Sequence, residues 1–146
     1  MVDRDRNLKL YLYPNETAKA VEGFEDYLVT DTGRVLSTKK RVRTTTLEGK
    51  TYEAIIYREL KATLVRGYKT VTLSDKKKRK NCYIHELVFK TFIGEYDKCY
   101  FKIKHINQDK LDNSLENLKL EFRKKDSKFI EKYVYQNKIL DCLNEY

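Results

Sequence analysis

Apolar and polar positions alternate in short runs along most of this chain, and a helical period replaces the alternation in few places. Tyr27-Leu28-Val29 and Val35-Leu36 flank Asp31-Thr32-Gly33, which predicts a hairpin with a three-residue loop whose glycine takes positive φ. Tyr68 to Leu73 alternates as a half-buried strand, SDKKKRKN makes a basic turn, and Cys82-Tyr83-Ile84 returns as its partner. A helix comes at once after it. In IHELVFKTFIG the residues Leu87, Val88, Thr91 and Phe92 form one helical face, with Gly94 where a left-handed C-terminal cap belongs. Cys99 to Ile106 alternates again as a strand, and Asn107 to Asp112 turns. Asn113-Ser114-Leu115-Glu116 then has the spacing of a capping box, which predicts a short helix. Asp126 or Ser127 caps a closing helix whose stripe is Phe129, Ile130, Tyr133, Val134, Leu140 and Leu143.

Two stretches carry weaker patterns. The first 20 residues are polar and irregular apart from LKLYLY, Leu8 to Tyr13, which reads as an edge strand closed by Pro14-Asn15. Residues Ser37 to Arg58 read either as a hairpin turning at Glu48-Gly49-Lys50 or as a loose excursion. The order contains no βαβ alternation and no internal repeat, so the expected class is α+β.

Composition narrows the partners. At 146 residues the chain is one domain, or two small modules sharing a core, and 40% apolar content suffices to fill it. Its 31 basic and 22 acidic residues leave a formal charge of +9, which points to a polyanion. No apolar run is long enough to cross a bilayer, and MVDRDRNLKLYL lacks the apolar block of a secretory signal. The expectation is a cytoplasmic or nuclear protein, with no membrane partner and not secreted. Three cysteines, Cys82, Cys99 and Cys142, are too few and too uneven for a disulfide framework. Lys39, Lys40, Arg41 and Arg43 form one basic cluster, and Lys76, Lys77, Lys78, Arg79 and Lys80 form another. Such runs are solvated turns in most proteins, but two of them with tyrosines between favour contact with phosphates.

The histidine segment carries the most specific pattern. YIHELVFKTFIGEYDKCYFKIKHINQDKLDNSLENLKL resembles the HNH nuclease module of phage-type homing endonucleases, with its VHRLVA-x-x-F and later V-(D/N)-H-x-D-G-N-x-x-N-N-x-x-x-N-L. Upstream, VEGFEDYLVTDTGRVLS resembles the NUMOD4-like DNA-binding element that precedes this module in the same proteins. The resemblance spans about Val21 to Leu120. It implies a phage or virus-like source and a division into an N-terminal extension (1–20), a DNA-binding hairpin region (21–66), an HNH module (67–123) and a C-terminal helix (124–146). The implied fold is small antiparallel hairpins, then a ββα-metal, or His-Me finger, module and the helix.

The same resemblance implies roles. His105 falls on the general base, Asn117 on the asparagine that braces the turn, Asn113 on the loop asparagine, and Asp126 on the later metal ligand. The implied partner is double-stranded DNA and the implied cofactor Mg²⁺ or Mn²⁺. One position departs. The family has Asp or Asn directly before the histidine, and this chain has Lys104, whose ammonium carries only donors and cannot ligate a cation. Lys104 turning to phosphate instead would convert a nuclease site into a binding site. The rival expectation is therefore a non-catalytic DNA binder, without a cofactor, acting as repressor, architectural or packaging factor. An RNA-binding protein is a third reading, resting on charge and tyrosine alone. The family's Asp-Gly-Asn after the histidine is Asn107-Gln108-Asp109 here, so Asn107 is expected to supply the positive φ. His85 matches the family's other histidine and is expected as a structural or phosphate contact. Cys82-x-x-His85 with Cys99 and His105 holds a Cys₂His₂ donor set, at spacings unlike those of a zinc finger.

Overall fold

Local turn chemistry dictates most of the strand pairing, because a tight loop forces the strands it joins into an antiparallel ladder. The computed structural model describes residues 8–38, 42–55 and 57–144. β1 (Ala18–Val21), β2 (Phe24–Thr30), β3 (Val35–Ser37) and β6 (Arg58–Glu59) form a sheet in that order. β4 (Val42–Leu47) pairs with β5 (Lys50–Ile55), and β7 (Thr63–Val65), β8 (Tyr68–Ser74) and β9 (Arg79–Tyr83) form a three-stranded sheet. α1 (Ile84–Phe92) continues directly from β9. β10 (Phe101–His105) then pairs with β11 (Leu118–Phe122) across a long turn that ends in one 3₁₀ turn, Leu115–Asn117, and α2 (Ser127–Asn144) closes the chain.

The loops explain the registers. Thr30 N–H donates to Arg34 O at 2.8 Å, which leaves Asp31-Thr32-Gly33 as the expected three-residue loop, with Gly33 at φ 91°. Glu48-Gly49 and Arg66-Gly67 both place two consecutive residues at positive φ, the two-residue loop whose twist matches that of its strands. The β4–β5 hairpin therefore exists, turning one residue tighter than Glu48-Gly49-Lys50, since Lys50 already pairs with Leu47.

The core lies between the β2–β3 and β8–β9 strands and α1. Val29, Val35, Leu73 and Val88 are fully enclosed there, with Tyr27, Ile84 and Leu87 around them. Leu36 points to the other face of its sheet and packs with Tyr57, Leu8, Tyr11 and Leu12. Burying each large side chain contributes about 1.5–3 kcal/mol before entropy is subtracted. On α1 the buried residues Ile84, His85, Leu87, Val88 and Phe89 widen the expected face, and Gly94 at φ 136° directs its N–H to Phe89 O. Among the described residues no helix is long and apolar enough to cross a membrane.

Two expectations are corrected and a third holds. Leu8 to Tyr13 is not an edge strand: Tyr11 N–H turns back to Leu8 O, and Leu8, Tyr11 and Leu12 cover Leu36 and Tyr57 instead. The short helix after Asn113 is one 3₁₀ turn without a side-chain cap: its N-cap falls on Ser114, whose hydroxyl bonds Asp112, while Asn113 Oδ1 lies against His105. The chain then enters β11, whose alternation of Leu118, Leu120 and Phe122 with Lys119 and Glu121 is a strand signal. Asp126, by contrast, caps α2 as expected, its Oδ1 accepting the Lys128 N–H at 3.0 Å.

Candidate functional site

β10 runs into the core and delivers His105 at its last position. Ile103 and His105 share one face of the strand, by the two-residue period, and Ile103 packs on the main core. His105 is consequently only 6% exposed. Its Nε2 lies 2.8 Å from Asn113 Oδ1, and a carboxamide oxygen only accepts, so the ring proton sits on Nε2.

The turn after His105 is held from within. Asn117 Oδ1 accepts the Asn107 N–H at 3.0 Å, and its Nδ2 donates to Asn107 Oδ1 and Asp112 O at 2.9 and 2.8 Å. Ile106 N–H adds a bond to Asn117 O. Asn117 thus ties the two ends of the turn together through both atoms of its carboxamide. The positive φ falls on Gln108, at 64°, and not on Asn107; Gln108 stands where the family has glycine, while both amide groups of Asn107 are occupied by Asn117, Asp109 and Asp112. Asp112 is bonded by Asn107 Nδ2 and by Ser114, and the Ser114 hydroxyl holds its carboxyl below the usual range, with the nearby His105 acting in the same direction.

Three aromatic rings complete the surroundings, and the sequence pattern did not single out two of them. His85 meets His105 edge to face at 5.2 Å between centroids. Tyr68 lies 5.1 Å from His85 and 6.0 Å from His105, and Tyr83 lies 5.4 Å from His85. Lys110 covers Tyr68 at 4.7 Å. Tyr83 is visible in sequence as the neighbour of His85 at a spacing of two, whereas Tyr68 reaches the cluster only because Thr70 pairs with Tyr83. Burial, and then the second imidazole, push the His85 pKa down to about 4, so this ring is neutral.

The remaining candidates lie elsewhere. Lys104 points away from His105, on the opposite face of β10, where its Nζ is 3.8 Å from Glu121 Oε1 and Lys102 approaches the same carboxylate at 4.0 Å. Asp126 lies beyond the end of β11 that pairs with Phe101, at the other end of the hairpin from His105. Among the described residues no three His, Cys, Asp or Glu side chains are grouped to hold a metal ion. With a lysine in place of the family's first ligand, the donor set does not fit a preformed divalent-cation site. The zinc alternative fails on the same observation; Cys82 is buried and Cys99 exposed as free thiols.

Lys76, Lys77, Arg79 and Lys80 are exposed around the β8–β9 turn, which Asp75 shapes by accepting the Lys77 and Lys78 N–H groups. Lys78 lies over the Phe24 ring at 4.6 Å. From this turn to Tyr68 beside the histidines is the length of β8, about 20 Å at 3.3 Å per residue. Arg43 is in β4, and Lys39, Lys40 and Arg41 lie outside the described residues. A cavity of about 260 Å³ between β1, β9 and α1 shares no residue with the histidine cluster.

Hairpins ending in a buried histidine, an asparagine-braced turn and a closing helix make up an α+β fold of the HNH endonuclease kind. A solved structure of the HNH homing endonuclease I-HmuI, described for its DNA binding and cleavage, is similar to this chain with a TM-score of 0.54 and 24% identity. The similarity covers 86% of this chain and 59% of that one, so this chain spans under two thirds of its neighbour's length. No family model matches the chain, and no curated protein matches it.

Proposed function

We propose that this chain binds double-stranded DNA and hydrolyses a phosphodiester bond in it, as a protein of the HNH homing-endonuclease type. The observation that carries the reading is a buried histidine whose Nε2–H is committed to Asn113, which leaves Nδ1 as a base of fixed orientation. His105 Nδ1 takes a proton from water as the water oxygen forms a bond to phosphorus. The opposite P–O bond breaks, and its electron pair leaves with the sugar oxygen, which is protonated by solvent. Asn117 and Asn113 orient the ring. Residues 21–66 are the gripping element and 67–123 the cleaving module. Lys76, Lys77, Lys78, Arg79 and Lys80, with Lys39, Lys40, Arg41 and Arg43, contact the phosphates, so affinity falls steeply as salt rises.

HNH endonucleases generally use a divalent cation, and Asp126, which falls on the family's later ligand position, stands at the other end of the β10–β11 hairpin from His105 and caps α2. Incubating supercoiled plasmid with the protein and Mg²⁺ or Mn²⁺ tests the whole reading: nicking that disappears in His105→Ala is expected. A specific observation favours a second reading. Lys104, paired with Glu121 in the family's ligand position, suits a former nuclease that now only holds DNA, with Lys104 among its phosphate contacts. Tight, salt-sensitive binding with no cutting under either cation would select it.

A further inference from the structure

The loop that joins β2 to β3 touches the histidine turn from outside, about 80 residues away in sequence. Leu115 N–H donates to Asp31 O at 2.8 Å. Beside this bond, Gly33 lies against Asn113 so closely that a Cβ at position 33 would stand 3.0 Å from Asn113 Cβ and 3.1 Å from its carbonyl carbon and oxygen. Those neighbours are backbone and the root of a side chain, so a Cβ there requires Asn113 or the loop to shift by a few tenths of an ångström.

The loop itself is over-determined. Thr30 Oγ1 meets the Arg34 N–H at 3.0 Å and the Thr32 hydroxyl at 3.0 Å, and Thr32 also bonds Glu16. Glu16 is buried and takes Arg34 Nη1 at 2.6 Å, while Asp31 Oδ1 accepts the Thr17 N–H at 3.1 Å. A side chain at position 33 would therefore displace Asn113 in preference to the loop. Asn113 is 2% exposed, and its Oδ1 is what holds His105 Nε2.

We propose that Gly33 is a positioning residue for His105: its missing side chain seats Asn113 against the loop, which keeps Asn113 Oδ1 under Nε2 and the ring proton off Nδ1. The catalytic meaning of this rests on reading His105 as the general base, whereas the positioning itself does not. The gripping hairpin and the histidine are then one mechanical unit.

Two-bond ¹H–¹⁵N spectra of the histidine rings, recorded on the full chain without DNA or cation, test it. His105 of the unaltered chain is expected in the Nε2–H form. Gly33→Ala should convert it to a mixture with Nδ1–H. Gly33→Asn tolerates positive φ yet adds the same Cβ, so it keeps the test open if the alanine variant folds poorly. Gly49→Asn is the control, since Gly49 also takes positive φ, at 75°, with nothing within 4 Å of a Cβ. It should leave the His105 signals unchanged. Nicking by the Gly33 variants should fall at least tenfold in kcat with KM unaltered. A folded Gly33 variant with unaltered His105 signals overturns the proposal, as does an equal change in Gly49→Asn. A tautomer that shifts in a chain that never cuts DNA sinks the general-base reading and leaves the positioning intact.

Discussion

The β10–β11 hairpin is built from opposite materials at its two ends. At the turn end His105, Asn113 and Asn117 are buried polar groups: His105 bonds Asn113, and Asn117 bonds Asn107 and Asp112. The open end is held by rings: Phe101 and Phe122 stand 4.6 Å apart, both meet Tyr133, and Tyr100 meets Phe129 at 4.9 Å, which docks α2. Aromatic packing stabilises without depending on any one polar atom. Buried polar groups destabilise unless each is satisfied, and here Asn113 Nδ2 and His85 Nδ1 are enclosed without a partner. Stability alone would favour building the turn end like the open end. The contrast teaches that the turn end is shaped by something other than stability, which is why the function is proposed there.

The contrast breaks first, and most, at His105. His105→Ala should lower nicking by about 10²–10⁴-fold, the usual contribution of a positioned general base, while DNA affinity stays within a few-fold. Plasmid relaxation against a binding titration reads both. Next in size is a pH effect. The His85 pKa is about 4 in the fold and near 6.5 when unfolded, so above pH 6.5 the group contributes nothing. As pH falls through that window the unfolded chain takes up a proton that the fold refuses, and stability drops by about 3 kcal/mol by pH 4. Urea midpoints at pH 7 and pH 4.5 should show that share of the loss in the unaltered chain and not in His85→Gln.

Asn117→Ala should cost about 2 kcal/mol in thermal or urea unfolding, because three hydrogen bonds go and their partners in the turn stay behind. Tyr133→Ala at the open end is the matched comparison: it should cost a similar amount but leave the His105 signals in place. The smallest stability effect belongs to Lys104→Asn. A half-exposed pair at 3.8 Å is worth about 1 kcal/mol or less, so unfolding should barely move. Mn²⁺-dependent nicking should barely move as well, since the side chain at position 104 faces away from His105.

Short-range interactions account for the part of the fold that was legible in the sequence. The loop at Asp31-Thr32-Gly33, the Tyr68 strand, the helix of Leu87 and Val88, and the Asp126 cap all rest on residues within a turn of one another. His105, Asn113 and Asn117 were legible as a group only through the resemblance of their segment to the HNH motif. The departures share a cause, which is recruitment by distant partners. Leu8 to Tyr13 alternates like a strand, yet Leu36 and Tyr57 recruit it as a lid. Asn113 has the look of a helix cap, yet His105 claims its oxygen, and β11 forms because β10 is there to pair with it. β1, β6 and β7, of two to four residues each, are strands only by virtue of their partners.

The sequence by itself determined the Asp31-Thr32-Gly33 hairpin, the Tyr68 strand with its partner, the first helix, the basic charge and the position of a histidine at a strand end, since periodicity, turn residues and net charge are local or additive properties. Only the tertiary structure decided that Gly33 lies against Asn113, that Tyr68 and Tyr83 stack around the two histidines, and that Lys104 turns away to Glu121. Those facts depend on which surfaces meet after the chain has closed loops of tens of residues, and no local pattern records the outcome of that packing.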